Sequence, residues 1–392
     1  NKGDREGSIS HYQRGIDILK DGPPCLELVR LYEEAASLYM HTGDNMLAIY
    51  ASEKALRLAE RLNEARAASR AHGIFGRVFG RIGDSEKARE NLERSVALAR
   101  ESDRAEAVRA LLTLGYHLEV SEADYEGAAE AYREALEIAQ EVGDLPSQVE
   151  LHASLGQLAV ENADWEEVER ATEASESLAE REGLAGKLCF PYIMRGVLSW
   201  RRGEWEEATK SFRRAHELGE QVGRSEVAFN ALHWLALTLR ESGDLAAAET
   251  ELARALDICE RAGLIAQSVE AISARAVVLA LQGRTDQARA AAEEADRLAG
   301  RLHYPVGDAA KAEAAGACAE DPAAAAEQME EARRRWRELG RPLDAARCLL
   351  VRGRLLAESD PEAAARVLAD AAEEYEALDV PALASRAREV VA

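Results

Sequence analysis

The chain has 392 residues, of which 72 are acidic and 49 basic, giving a formal net charge of −23. This balance lacks the basic footprint that binds phosphate backbones, so we expect no direct nucleic-acid binding by this segment. The longest uncharged run, Val227–Leu239, is too short to span a bilayer, and we expect no signal peptide. Five scattered cysteines without a Cys-x-x-Cys motif indicate reduced thiols and a cytoplasmic location.

A Gly-Asp pair recurs about every forty residues, starting at the first residues of the chain. Full or weakened copies are Gly3-Asp4, Gly43-Asp44, Gly83-Asp84, Ala123-Asp124, Ala163-Asp164, Gly203-Glu204, Gly243-Asp244 and Gly283-Arg284, with early copies at Asp321 and Asp360. A fixed period of roughly 20–50 residues is typical of a stacked repeat array. Strand-like alternation is absent, so the sequence predicts an all-α fold.

Each copy predicts the end of one helix and the start of the next. The glycine suits the left-handed residue that ends a helix, and the aspartate suits the N-cap of the following one. Small, bulky and small residues follow at +4, +8 and +11, as in Ala128, Tyr132 and Ala135 after Asp124, so they share one helix face. A Gly or Ala eight residues before the aspartate predicts close approach of the preceding helix. We expect the bulky residue to fill the space between neighbouring helix pairs.

Taken in chain order, this pattern predicts a half repeat, nine helix pairs and a final helix. The half repeat covers 1–24 and the capping helix 379–392. The nine pairs cover about 25–62, 64–102, 105–142, 146–182, 186–222, 225–262, 265–302, 306–340 and 343–378. We expect one continuous solenoid. Because the chain begins at Asn1 in the middle of a repeat, we also expect a longer protein with at least one helix upstream.

The repeats resemble a known family. Residues 123–140 (ADYEGAAEAYREALEIAQ) look like the second helix of a tetratricopeptide repeat, and LGQLAV at 155–160 looks like the centre of a first helix. The resemblance implies a right-handed α-solenoid. The usual repeat has about 34 residues; the longer period resembles the sensor domain of the bacterial maltose-regulon activator, an ATP-dependent STAND-type transcriptional regulator. Rap-type peptide-sensing proteins and kinesin light chains also use long repeats.

Motifs for catalysis are absent from the sequence. There is no phosphate-binding Gly-rich loop with Lys-Ser/Thr, no Gly-x-Ser-x-Gly, and no pair of histidines within four residues of each other. We therefore predict no catalytic residue, no metal ligand and no cofactor, and we do not expect an enzyme.

The tetratricopeptide resemblance implies which residues line the concave face, at about 14, 11, 7, 4 and 3 residues before each aspartate. In the second to sixth units these candidates are Arg70, Arg77, Arg81, Arg109, Tyr116, Phe190, Ile193, Val197, Trp200, Asn230, His233 and Arg240. The arginines either clamp acidic groups of a ligand or pair with glutamates of this chain. The apolar stripe is either a binding groove or repeat-to-repeat core. The basic run 333–337 (RRRWR) is predicted on an outer, solvated face.

These patterns favour a binding module. The expected role is the sensor or interaction region of a larger bacterial signalling regulator that binds a protein, a peptide or a small-molecule effector. The alternatives are a passive protein–protein scaffold, and an accessory domain of an enzyme whose catalytic part lies outside this segment.

Overall fold

The computed structural model describes residues 5–302 and 304–389, and its regular elements there are all helical. The α-helices are α1 (Arg5–Leu19), α2 (Leu26–His41), α3 (Asn45–Leu62), α4 (Ala65–Arg81), α5 (Ser85–Ser102), α6 (Arg104–His117), α7 (Tyr125–Val142), α8 (Leu145–Glu161), α9 (Trp165–Arg181), α10 (Cys189–Arg202), α11 (Trp205–Val222), α12 (Ser225–Ser242), α13 (Leu245–Ala262), α14 (Ile265–Leu281), α15 (Thr285–Ala299), α16 (Pro305–Cys318), α17 (Pro322–Glu338), α18 (Pro342–Leu356), α19 (Pro361–Ala377) and α20 (Pro381–Glu389). The predicted all-α fold of paired helices is confirmed. Gly3-Asp4 and the last three residues of the predicted cap lie outside the described residues.

The periodic aspartates are helix N-caps. Their carboxylates accept from the backbone N–H three residues later, at 2.8 Å from Ala324 for Asp321 and at 3.0 Å from Gly127 for Asp124. Asp44 differs, because it accepts from the hydroxyl of Thr42 instead. At the preceding position Gly43 has φ +81°, and Ala123 adopts the same left-handed region at φ +55°. The turn geometry is thus kept even where the glycine is replaced.

In each of these helix pairs, a glycine in the first helix leaves space for a bulky side chain of the second helix. A Cβ on Gly196 would lie 2.5 Å from Phe212, and one on Gly353 would lie 2.4 Å from Leu368. The bulky residue at +8 therefore packs onto the glycine of its own pair. It also reaches the next pair, as predicted: Phe212 stacks on Trp234 of α12 at 6.1 Å between ring centroids.

Gly115 lies nine residues before Asp124, one more than in the other repeats, and the extra residue is taken up by a π-helical turn. This turn, Leu118–Glu122, joins α6 to α7. A π-turn accommodates one additional residue without breaking the helix, which explains the displaced glycine.

The described residues form two compact units. Unit 1 comprises the chain up to Leu151 together with Glu260–Ile265, and unit 2 comprises His152–Cys259 and the chain from Ala266 onward. One hydrophobic cluster of unit 1 lies mainly among α2, α3 and α4, where Val29, Ala55 and Val78 are fully buried.

Unit 2 makes contacts between helices that are far apart in sequence. Trp165 Nε1 donates to the carbonyl of Leu378 at 2.7 Å, and Arg201 Nε donates to the carbonyl of Asp379 at 2.7 Å. Arg354 of α18 likewise pairs with Glu241 of α12 at 2.8 Å. In an open array each repeat contacts only its neighbours. Unit 2 therefore closes on itself.

Candidate functional site

Three arginines of unit 1, the arginine cluster, gather around a buried carboxylate. Nε of Arg70 (α4) and Nε of Arg109 (α6) each donate to Glu106 at 2.9 Å, and Arg66 pairs with Asp103 at 3.1 Å. The side chain of Glu106 is 2% exposed, whereas those of Arg70 and Arg109 are 37% and 41% exposed. Glu106 thus orients guanidinium groups that remain open to solvent. Pairing within the chain, one of the two alternatives, is what the structure shows.

Glu33 lies beside this cluster and is not fully bonded. It is 7% exposed, its Oε2 lies 3.9 Å from Arg70, and its Oε1 has no hydrogen-bond partner. Burial raises the pKa of the Glu33 carboxyl to about 7, although Arg70 and Arg109 oppose the shift. The charge of this surface therefore changes near neutral pH.

The remaining candidates of unit 1 differ in exposure. Arg81 is 8% exposed and donates to the carbonyls of Met40 at 2.5 Å and Ala262 at 3.1 Å. It holds the backbone of unit 1 together, which corrects its predicted place on a ligand-binding face. Arg77 is half-buried and Tyr116 is 38% exposed.

The predicted apolar stripe of the fifth unit is mostly core. Ile193, Val197 and Trp200 are 4%, 0% and 6% exposed, and Trp200 packs edge-on against Trp234 at 5.5 Å. This decides between the two alternatives for these residues: they contribute to repeat-to-repeat packing. Phe190 is half-buried, with the Lys187 ammonium 5.5 Å from its ring centroid.

Two candidates of the sixth unit, His233 and Arg240, line a cavity inside unit 2, which we call the central cavity. Asn230 is half-buried and does not line it. The cavity has a volume of about 30 Å³. Its lining residues are His233, Leu237, Arg240, Glu270, Ser273, Ala274, Val277, Ala310, Glu313, Trp336, Arg341, Asp344 and Arg347. Most belong to α12, α14, α16 and α18, the first helices of their pairs.

Buried ion pairs form the charged wall of the central cavity. Arg347 donates to both oxygens of Glu313, at 3.0 and 2.6 Å, and also pairs with Asp344. Arg341 donates to Asp344 at 2.6 Å and lies 2.8 Å from Glu161. Burial opposes ionisation of Asp344, but Arg341 and Arg347 outweigh it and lower its pKa. The wall is therefore a set of paired charges at neutral pH.

Burial shifts the pKa of two groups of the central cavity towards their uncharged forms. Burial, assisted by Arg347 and Arg341, lowers the pKa of His233 to about 3. Burial also raises the pKa of Glu270, which accepts a hydrogen bond from the Tyr304 hydroxyl. His233 is thus an uncharged imidazole at neutral pH.

Sequence reasoning missed most of this cavity. Glu270 and Ser273 lie 14 and 11 residues before the repeat position at 284. These are two of the offsets that the resemblance implies for the concave face, so applying them to the seventh unit would have found both residues. Trp336 lies in the run predicted to be a solvated outer face. Its arginine neighbours Arg334 and Arg337 are indeed exposed, but Trp336 is 2% exposed and lines the cavity.

A serine, a histidine and a carboxylate meet at the π-turn of unit 1. Ser85 Oγ and Glu122 Oε1 lie 3.3 and 3.1 Å from the same nitrogen, Nε2 of His117. An imidazole relays a proton between its two nitrogens, so this arrangement does not form a catalytic relay. Within the described residues no group of three His, Cys, Asp or Glu side chains could hold a metal ion, and no helix is long and apolar enough to cross a membrane.

The family relationship rests on two segments of the sequence. Residues 27–101 and 192–261 match the tetratricopeptide repeat family model. These two segments are similar to tetratricopeptide repeats. Comparison with curated protein sequences found no match.

Solved structures share the tetratricopeptide fold over nearly the whole chain. A Rap protein complexed with competence and sporulation factor matches with a TM-score of 0.58 and 14% identity, over 93% of this chain and 97% of the other. The Rap conjugation gene regulator of plasmid pLS20, in complex with the Phr* peptide, matches with 0.56 and 13%, over 89% and 95%. Aspartyl phosphate phosphatase F from Bacillus subtilis matches with 0.54 and 10%, over 90% and 95%.

Proposed function

We propose that this chain is a non-enzymatic binding module that takes an acidic segment of a peptide or protein on the arginine cluster of unit 1. The observation that supports the proposal is that two arginines are exposed to solvent and are also held in a fixed orientation. Arg70 and Arg109 are more than one third exposed, yet both are oriented by a carboxylate that is almost fully buried. Preorganised guanidinium groups bind carboxylates without losing much side-chain freedom.

The hydrogen-bond inventory supports an anionic partner. A guanidinium group has five N–H donors. The contacts with Glu106 use one donor of Arg70 and two of Arg109. The remaining donors lie on half-exposed groups, at the surface of a chain whose net charge is −23. Exposed guanidinium donors favour the carboxylates of an acidic partner.

The fold is consistent with peptide binding. Two structures that share it are complexes with a factor and with a peptide. We place this chain in the same functional class, as the sensor or interaction region of a larger bacterial signalling or transcriptional regulator in the cytoplasm. The Ser85–His117–Glu122 contact gives no support to a hydrolytic alternative, since both partners meet one ring nitrogen.

Charge reversal at the cluster tests the proposal. The probes are two fluorescein-labelled pools of ten-residue peptides, one rich in Glu and Asp and one rich in Lys, measured by fluorescence anisotropy. We expect the acidic pool to bind selectively. The double variant Arg70→Glu/Arg109→Glu should weaken that binding at least about 30-fold, because each charge-assisted contact contributes about 1–2 kcal/mol.

A matched variant controls for net charge. Arg57→Glu/Arg100→Glu changes the net charge equally, at exposed arginines that pair with Glu53 and Glu134 away from the cluster. It should change the affinity less than about threefold. Equal losses in the two double variants, or no binding of acidic peptides by the unmodified chain, would show that the cluster is not the binding surface. Far-ultraviolet circular dichroism should be the same for all three proteins.

A further inference from the structure

The central cavity of unit 2 is a second polar site, separate in location and chemistry from the arginine cluster. Its volume of about 30 Å³ corresponds to about two or three water-sized particles. A peptide backbone does not fit such a space. An occupant must therefore be one very small molecule or ion.

The unsatisfied atoms of the cavity are all able to donate. Among the described residues that line it, three side-chain atoms are buried without a hydrogen-bond partner: Trp336 Nε1, Ser273 Oγ and His233 Nδ1. An indole N–H is a donor only, a hydroxyl can donate, and a neutral imidazole donates from one of its nitrogens. Leaving such atoms unpaired costs about 1–3 kcal/mol each.

The carboxylates of the cavity already accept hydrogen bonds from neighbouring side chains. Glu313 accepts both of its hydrogen bonds from Arg347, Asp344 accepts from Arg341 and Arg347, and Glu270 accepts from Tyr304. No carboxylate oxygen of the lining has a buried, unpaired position among the described residues. The missing partner is therefore an acceptor of hydrogen bonds.

We propose that the central cavity binds a small monovalent anion, held by the indole N–H of Trp336 and the hydroxyl of Ser273. Chloride fits the space by size. Formate also accepts hydrogen bonds, and it represents small carboxylates as the alternative class of ligand. Neither role depends on peptide binding at the arginine cluster.

Thermal unfolding of the full chain in the presence of different small anions tests this site. The protein is first exchanged into sodium gluconate, whose anion is too large for the cavity. Chloride, bromide or formate then replaces gluconate at constant ionic strength. We expect the melting temperature to rise by about 1–2 °C when the anion reaches tenfold above its dissociation constant, because a ligand of the folded state stabilises it by mass action.

Two pairs of variants separate the cavity from general effects of salt. Ser273→Ala and Trp336→Phe each remove one donor and should raise the dissociation constant at least about tenfold. Ser52→Ala and Trp200→Phe are their controls, because they also remove buried polar atoms without a partner but lie outside the cavity. The controls should change the constant less than about twofold.

A crystal of the unmodified protein grown with bromide gives an independent readout. An anomalous peak in the cavity supports a halide, and a response to formate alone supports a carboxylate. The absence of a bromide peak, together with melting temperatures that respond to no small anion or respond alike in all four variants, would overturn the proposal in favour of water in the cavity.

Discussion

At the scale of single residues, the cost of burying Glu33 is the clearest electrostatic feature of unit 1. Its carboxyl is almost fully buried, and one oxygen has no hydrogen-bond partner. Its nearest cation, Arg70, lies 3.9 Å away and is shared with Glu106. The protein tolerates this residue because protonation removes the charge at modest cost.

Glu33 therefore makes folding stability depend on pH. With a folded pKa of about 7 and an ordinary value of 4.5, the folded state binds more protons than the unfolded state between these values. Stability from this group is complete below the lower value and is lost as pH rises through the higher one. Glu33→Gln should remove the effect, so its advantage over the unmodified chain should grow by about 3 kcal/mol between about pH 4 and pH 8.

Urea unfolding across that pH range measures the difference. Glu34→Gln is the matched control, because Glu34 is exposed on the same helix. Its stability relative to the unmodified chain should stay nearly constant with pH. A flat difference for Glu33→Gln as well would mean that Glu33 is already ionised at neutral pH in the folded protein.

At the scale of helix pairs, glycines set how closely the two helices approach. Gly353→Ala would place a methyl group 2.4 Å from Leu368 Cγ. Overpacking of this kind costs about 1–3 kcal/mol, more than the roughly 1 kcal/mol gained in helix propensity. We expect a net loss of stability of up to about 2 kcal/mol in urea unfolding.

A second glycine and a double variant test the steric reason. A Cβ on Gly73 would lie 3.3 Å from Ser95 Oγ, so Gly73→Ala should be nearly neutral. Combining Gly353→Ala with Leu368→Val should recover part of the loss, since the smaller side chain gives way. Additive losses in the double variant would show that the contact between residues 353 and 368 is not the cause.

Features within one helix pair can be predicted from the sequence, whereas contacts between distant repeats cannot. Caps such as Asp124 and packing positions such as Phe212 act within one helix pair, so a local pattern reveals them. The pairing of Glu241 with Arg354 depends on small rotations added over several repeats, which no local pattern encodes. The repeat phase predicts Arg81 on the concave face, but its burial against the carbonyl of Met40 comes from tertiary packing. Trp336 was misplaced for the same reason.

At the scale of the whole molecule, the closure of unit 2 sets it apart from a simple stack of repeats. Arg201 is central to that closure: it binds the carbonyl of Asp379 at 2.7 Å and lies 4.8 Å from the ring centroid of Trp165. Its side chain is 14% exposed. Stability of α20 thus depends on residues about 180 positions earlier in the chain, which adds cooperativity that nearest-neighbour contacts alone do not provide.

Arg201→Ala tests whether this closure holds α20 in place. Losing the hydrogen bond, the ion pair and the cation–π contact should destabilise unit 2 by about 1–3 kcal/mol and speed hydrogen exchange in α20. Arg202→Ala is the adjacent control, because Arg202 pairs with Glu169 and both side chains are about half exposed. That pair should contribute less than about 1 kcal/mol and leave exchange in α20 unchanged. If hydrogen exchange in α20 is equally slow in the two variants, the arginine bridge does not keep this helix folded. Packing of Leu383 and Ala387 against the rest of unit 2 would then be the cause.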